Sequence, residues 1–236
     1  MKPGLPNLLS FNGGYVDTAG FITLQGLFTA HVTGNFVTIG SALVFGTSGV
    51  IAKLLALPVF CAVIIITRLL SFHLPHGRSA IKVMLSANLC LLVLGAYLAI
   101  RWNPFVNGDA WPTILTGMTL VSAMAIQNAL HRIHLGASPP TTLMTGTTTQ
   151  MMIDVADTAR GLSPETRAAT LSRLRHMGVA VLSFALGAAA AAIFFSHVGP
   201  WCLVLPPVVA LSARIAANSF QTATPAPPAS GTAPGK

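Results

Sequence analysis

Charge is what this chain has least of: 8% of its 236 residues are charged, and five of those are acidic. A soluble domain carries about a quarter charged residues, so an ordinary water-facing surface is excluded. Cysteine is scarce too. Cys61, Cys90 and Cys202 lie inside or at the edge of apolar runs with no metal-ligand spacing, and read as packing residues. No GxSxG, Walker, Rossmann or HExxH pattern occurs, so soluble-type catalysis and nucleotide hydrolysis find no support. His73 with His76, and His131 with His134, have spacings seen in metal sites, but neither pair has a third ligand. The chain is therefore expected to be no enzyme and to hold no metal or cofactor.

What is present is apolar sequence, at 53% hydrophobic residues and a mean hydropathy of +0.72. This composition predicts an all-α membrane protein, because a spanning segment must satisfy its own backbone as helix. The formal charge of +8 lies in loops between apolar runs, where it orients the chain in the membrane. Membrane lipid is the expected partner, and nucleic acid is not. The length suits one domain over residues 1–221.

Six spans are expected: Leu5 to Leu27, Val50 to Leu70, Val83 to Ile100, Thr113 to Leu130, Met177 to Phe195 and Trp201 to Ala217. The first run carries Asp17 and several glycines and asparagines, and reads as a span and not as a signal peptide. Two further segments do not fit a crossing. Thr33 to Val44 is about a dozen residues, where a hydrocarbon core needs about 20. Thr145 to Ala159 holds Thr147, Thr148, Thr149, Gln150 and Asp154, and is expected to be lined by protein or water. Both read as re-entrant half-helices.

With those two segments returning to the side they left, Lys2, Arg68, Arg78, Lys82, Arg160, Arg167, Arg173, Arg175, Arg214 and Lys236 share one side. Only Lys53 and Arg101 face the other. The basic side is then cytoplasmic, in an inner membrane, with both termini inside. Trp102, Trp111 and Trp201 fall at the outer interface, and residues 222–236 form a disordered cytoplasmic tail.

The stretch Phe28 to Asn35, FTAHVTGN, recurs in weakened form as Pro140 to Thr147, PTTLMTGT. Thr29, Thr33 and Gly34 fall on Thr141, Thr145 and Gly146, all 112 positions apart, and Asp17 falls on Asn128, 111 apart. The chain thus reads as a duplication of about 5–101 and 111–218. Three spans per repeat reverse its direction, giving a 3+3 inverted pair, the plan of many secondary transporters.

In each repeat Thr33 or Thr145 is an N-cap candidate, and Gly34 or Gly146 lets backbone approach backbone. Free amides and positive helix ends, including that of Asn35, would then face a common centre. Such a centre suits an anionic or strongly hydrogen-bond-accepting small solute. Asp17, at mid-depth in the first span, costs about 2.5–3.5 kcal/mol unless paired or wet; it either accepts backbone amides or couples a proton or solute. His31 is either a titrating group or a satisfied structural residue. Gln127 and Asn128 suit both interhelical hydrogen bonding and ligand contact. Gln150 and Asp154 share a helix face with Thr147, and either line a polar path or satisfy helix ends.

The segments GGYVDTAGF (Gly13 to Phe21), LFTAHVTGN (Leu27 to Asn35), AIQNAL (Ala125 to Leu130) and TTLMTGTTTQ (Thr141 to Gln150) resemble the bacterial YoaK-like family of membrane proteins of unknown function. The resemblance implies a cytoplasmic-membrane protein with about six spans, often suggested to be a small-molecule transporter. It supplies no solute and no proven site. Three functions remain open on these grounds: a secondary carrier or channel, a non-transporting scaffold or assembly factor, and an intramembrane enzyme using Asp17 and His31. The last lacks a nucleophile beside that pair.

Overall fold

The computed structural model describes residues 4–73, 77–142 and 144–218. The tail, Lys2 and His76 lie outside them. The described chain is helical throughout: α1 (Leu5–Thr23), α2 (Gly34–Phe45), α3 (Val50–Ser71), α4 (Arg78–Trp102), α5 (Trp111–His134), α6 (Met144–Arg160), α7 (Pro164–Val198), a 3-10 helix (Gly199–Val204) and α8 (Leu205–Ala216). Four stretches among the described residues are long and apolar enough to cross a membrane: α3, α4, α5 and the continuous run Pro164–Ala216. The chain is a helical membrane protein. Asn7, Ser10, Asn12 and Asp17 dilute α1, which is the helix its neighbours enclose, with most of its residues buried.

Three boundaries differ from the sequence reading. α7 begins at Pro164, well before Met177, so most of the expected basic loop from Arg160 to Arg175 is helix. Pro164 takes the first helical position, where its missing N–H costs nothing. Charged residues move that stretch out of lipid without breaking the helix; 35 residues rise about 52 Å, well beyond a core of about 30 Å. α4 begins at Arg78 and not at Val83, for the same reason. The expected span from Trp201 is a 3-10 turn followed by α8, whose first turn holds Pro206 and Pro207, neither of which can donate a backbone bond.

Apolar packing fixes which helix ends lie together. Leu5 and Leu9 of α1, Ile81 and Leu85 of α4, Leu130 of α5 and Ala213 of α8 form one cluster. Leu24, Ala99, Phe105, Leu120 and Ala210 belong to a second. Hence α1 and α4 run one way, and α5 and α8 the other. At the second end the Asp109 carboxylate accepts the amides of Gly49 (2.9 Å) and Ile51 (2.8 Å), holding the start of α3. Trp102 and Trp111 stack edge-on there, 4.8 Å between centroids. At the first end the Arg68 guanidinium, near the end of α3, lies over the Phe72 ring, 4.4 Å from its centroid.

α1 packs on α7 and α8, α5 on α3 and α4, α4 on α8, α2 on α3, and α6 on α7. The α1–α7 contact is made backbone to backbone. A methyl added at Gly187 would strike the Phe11 carbonyl, and one at Gly14 the Phe184 carbonyl. In lipid, where tails are as apolar as leucine, such close packing drives helix association.

Candidate functional site

α1 stops because Gln25 and Gly26 take left-handed backbone conformations, with φ of 56° and 80°. The Gly26 amide donates back to Phe21 (2.9 Å), and the Gln25 side chain donates to the Phe105 carbonyl (2.7 Å). The chain then turns back along the helix it has just left. Gly20 permits this, since a methyl there would lie 2.7 Å from Thr29 Cγ2.

Returning, the segment brings Thr29, Ala30 and His31 to Asp17, six residues before the end of α1. Asp17 Oδ1 accepts the amides of Thr29 (2.8 Å), Ala30 (2.7 Å) and His31 (3.3 Å). Its Oδ2 lies 2.6 Å from His31 Nδ1. The carboxylate is nearly buried and the imidazole side chain is 33% exposed, so the pair presents one ring edge outward. A buried acid thereby gains four partners, which answers the cost of placing it at that depth. Asn35 closes the same loop: its side chain accepts from the Phe28 amide and donates to the Phe28 carbonyl, each at 2.9 Å.

The second half of the chain does something similar with weaker chemistry. After α5 the chain passes Pro139 and Pro140 and returns, so that the Thr142 hydroxyl donates to Asn128 Oδ1 (2.7 Å). A methyl on Gly13 of α1 would lie 2.9 Å from the Thr141 carbonyl. Both returning segments therefore lie against α1. Gln127 fastens α5 to α1 through the Leu9 carbonyl (2.9 Å).

Between the two segments lies a cavity of about 570 Å³. Ala30, His31, Val32 and Thr33 form one wall, Leu57 to Arg68 of α3 another, and Asn128 to Ile133 with Thr142 the third. Its lining is apolar apart from His31, Thr33, Asn128, Thr142, Arg68 and Arg132.

The Thr-Gly steps behave differently from the sequence reading. Thr33 makes no side-chain cap, because its backbone is already helical (φ −72°, ψ −24°). The first amides of α2 are taken by the preceding turn, Gly34 to His31 (2.8 Å) and Asn35 to Val32 (3.3 Å). No free helix N-terminus of α2 faces the centre. The free amides of this region are those of the loop, and Asp17 takes them. Thr145 and Gly146 lie inside α6 and are exposed, and nothing approaches Gly146. Among the described residues α6 packs chiefly on α7, which buries Thr147 and Asp154 while Thr148, Thr149 and Gln150 stay exposed. Gln150 and Asp154 line no path to the cavity. Gln150 donates to Asp154 (2.8 Å), and Arg173 of α7 donates from Nε (2.7 Å) and Nη2 to the same carboxylate, tying α6 to α7.

Of the expected site residues, the structure brings His31, Thr33 and Asn128 to the cavity wall, with Asp17 behind His31. Thr141 is buried under Gly13, while Asn35 and Gln127 hold backbone in place. Thr142, Arg68, Arg132 and the α3 wall were not anticipated. Arg68 and Arg132 read equally well as orientation charges at span ends, and no spacing rule links α3 to the cavity.

No curated protein and no solved structure matches the chain. Over residues 5–216 it matches the DUF1275 family, whose members are proteins of unknown function, and the chain belongs to that family.

Proposed function

We propose that this protein is a small secondary carrier of the inner membrane, with its solute site in the cavity between the two returning segments. The observation that carries this reading is the convergence, on one cavity, of two segments that turn back from opposite ends. One wall holds the Asp17–His31 pair and the other the Asn128–Thr142 pair. Interrupted chain at membrane depth is tolerated where it is buried in protein or lines a cavity.

The packing pattern supports an inverted 3+3 repeat. Exchanging α1 with α5, α2 with α6, α3 with α7 and α4 with α8 maps the α1–α7 contact onto α5–α3, α2–α3 onto α6–α7, and α4–α5 onto α8–α1. It leaves α4–α8 unchanged. In this reading α2 and α6 are the re-entrant half-helices, α1, α3, α4, α5, α7 and α8 are the spans, and both termini are cytoplasmic. Asp17 and His31 can share a proton as the solute site changes sides, whereas the amide at Asn128 cannot.

Purified full-length protein in liposomes carrying an internal pH dye provides the test, with a panel of organic anions added outside under an imposed pH gradient. Solute-dependent proton movement above protein-free vesicles is expected, and Asp17→Asn should abolish it while insertion persists. A protein that moves none of the panel, with or without a gradient, would favour a scaffold.

A further inference from the structure

The cavity has a charge pattern that its role as a polar centre does not explain. Its walls are Leu57, Phe60, Ile64, Ala129 and Ile133, and its only full-time charges are Arg68 and Arg132. Both arginines are exposed, and neither has a carboxylate partner among the described residues. Of the five acids, Asp17 is engaged by His31 and the loop, Asp109 by the start of α3 and Asp154 by Arg173. Asp157 and Glu165 lie on α6 and α7. Arg68 ends the α3 wall and Arg132 sits in the last turn of α5. These two helix ends adjoin, since Arg68 and Arg132 line the same cavity.

From Leu57 to Arg68 the α3 wall rises 11 residues, about 16 Å. The result is an apolar slot with two guanidinium groups at one end, neither held by a carboxylate among the described residues, that of Arg68 lying over the Phe72 ring. A guanidinium matches a carboxylate with two parallel donors, and two such groups at one mouth favour a monoanion over a neutral or cationic head.

We infer that this cavity binds an amphipathic monoanion, a medium-chain carboxylate, with its alkyl chain along α3 and its carboxylate at Arg68 and Arg132. This rests on the cavity being the solute site. The volume of about 570 Å³ suits one small organic molecule and not the two long chains of a phospholipid.

Cys61 lines the slot, Cys90 is exposed elsewhere and Cys202 is buried. In full-length protein carrying Cys90→Ser, reconstituted in zwitterionic lipid nanodiscs, the alkylation rate of Cys61 by N-ethylmaleimide reports occupancy without requiring transport. Decanoate is expected to slow the reaction roughly tenfold. Decanol and decyltrimethylammonium, which partition into lipid equally well, should not. Arg68→Gln with Arg132→Gln should remove the protection, while Arg167→Gln, distant on α7, keeps it.

Equal protection by all three amphiphiles, protection that survives the double variant, or none at all would overturn the inference. So would protection by phosphatidylglycerol nanodiscs alone to which decanoate adds nothing, since that marks a lipid site. The carrier reading fails separately. Cys61 protection without flux sinks transport and leaves binding, and flux of short hydrophilic anions without Cys61 protection does the reverse.

Discussion

Asp17 sets the conformation of the first returning segment, and removing its charge should cost stability in a graded way. The carboxylate accepts three loop amides through Oδ1 and meets the His31 ring through Oδ2. Hydrogen bonds to charged groups contribute about 1.5–3 kcal/mol, against about 0.5–1.5 for neutral ones. In Asp17→Asn the amide oxygen can keep the three backbone donors at neutral strength, and His31 must turn its ring nitrogen to accept from the new NH2. The expected loss is about 2 kcal/mol. In Asp17→Ala three buried amides lose their acceptor, for a loss of about 3–5 kcal/mol. Thermal unfolding in detergent should rank wild type above Asp17→Asn above Asp17→Ala. A double-mutant cycle with His31→Ala should give a coupling of about 1–2 kcal/mol. If Asp17→Ala unfolds within 0.5 kcal/mol of wild type, or the two variants cannot be told apart, Asp17 does not hold the loop.

Other outcomes follow from particular contacts. Gly187→Val should prevent α1 and α7 from meeting, seen as loss of a monodisperse elution peak, whereas Gly146→Val, which meets open space, should elute like wild type. Asn35→Ala removes the two bonds that close the Phe28 loop and should cost about 2 kcal/mol in the same unfolding assay, with Asn35→Asp recovering only the accepting half. Burial pushes the Asp109 carboxyl up, but the amides of Gly49, Ala52, Ile51 and Val50 together hold it below its ordinary range. Because the folded value lies below the unfolded one, its stabilisation is complete above about pH 4 and is lost as pH falls further. The melting temperature of wild type should therefore drop below that pH more steeply than that of Asp109→Asn.

The apolar stretches of α3, α4, α5 and the run from α7 through α8 were legible because apolar runs of about 20 residues have few alternatives in lipid. Asp17 was legible for a similar reason: an acid at mid-depth must find partners, and Thr29, Ala30 and His31 are those partners. The pairing of Asp17 with Asn128 by position also led to two side chains that each receive their own returning segment. What the sequence hid was direction. Thr-Gly suggested a cap and a close approach, but a Thr in helical backbone cannot cap, and whether a glycine is crowded depends on its neighbours. Gly14 and Gly187 are crowded and Gly146 is not. Asp154 looked like Asp17 in composition, yet Arg173 was available to it because α7 continues as helix well before its apolar stretch begins. The cavity wall on α3 was hidden because its residues are ordinary span residues, and only packing separates them from those that face lipid.

The proposed carrier requires residues 28–33 to fold back from one side of the membrane and to face a cavity open toward the other. Cysteines placed at Thr33, which lines the cavity, and at Thr47, in the exposed turn after α2, report this directly in protein carrying Cys61→Ser and Cys90→Ser. With an impermeant maleimide on right-side-out and inside-out vesicles, Thr47→Cys should react from the periplasmic face. Thr33→Cys, only 14 positions earlier, should react from the cytoplasmic face, through the mouth at Arg68 and Arg132. A Thr33 cysteine that reacts only from the Thr47 side, or from neither, would contradict the infolded cavity.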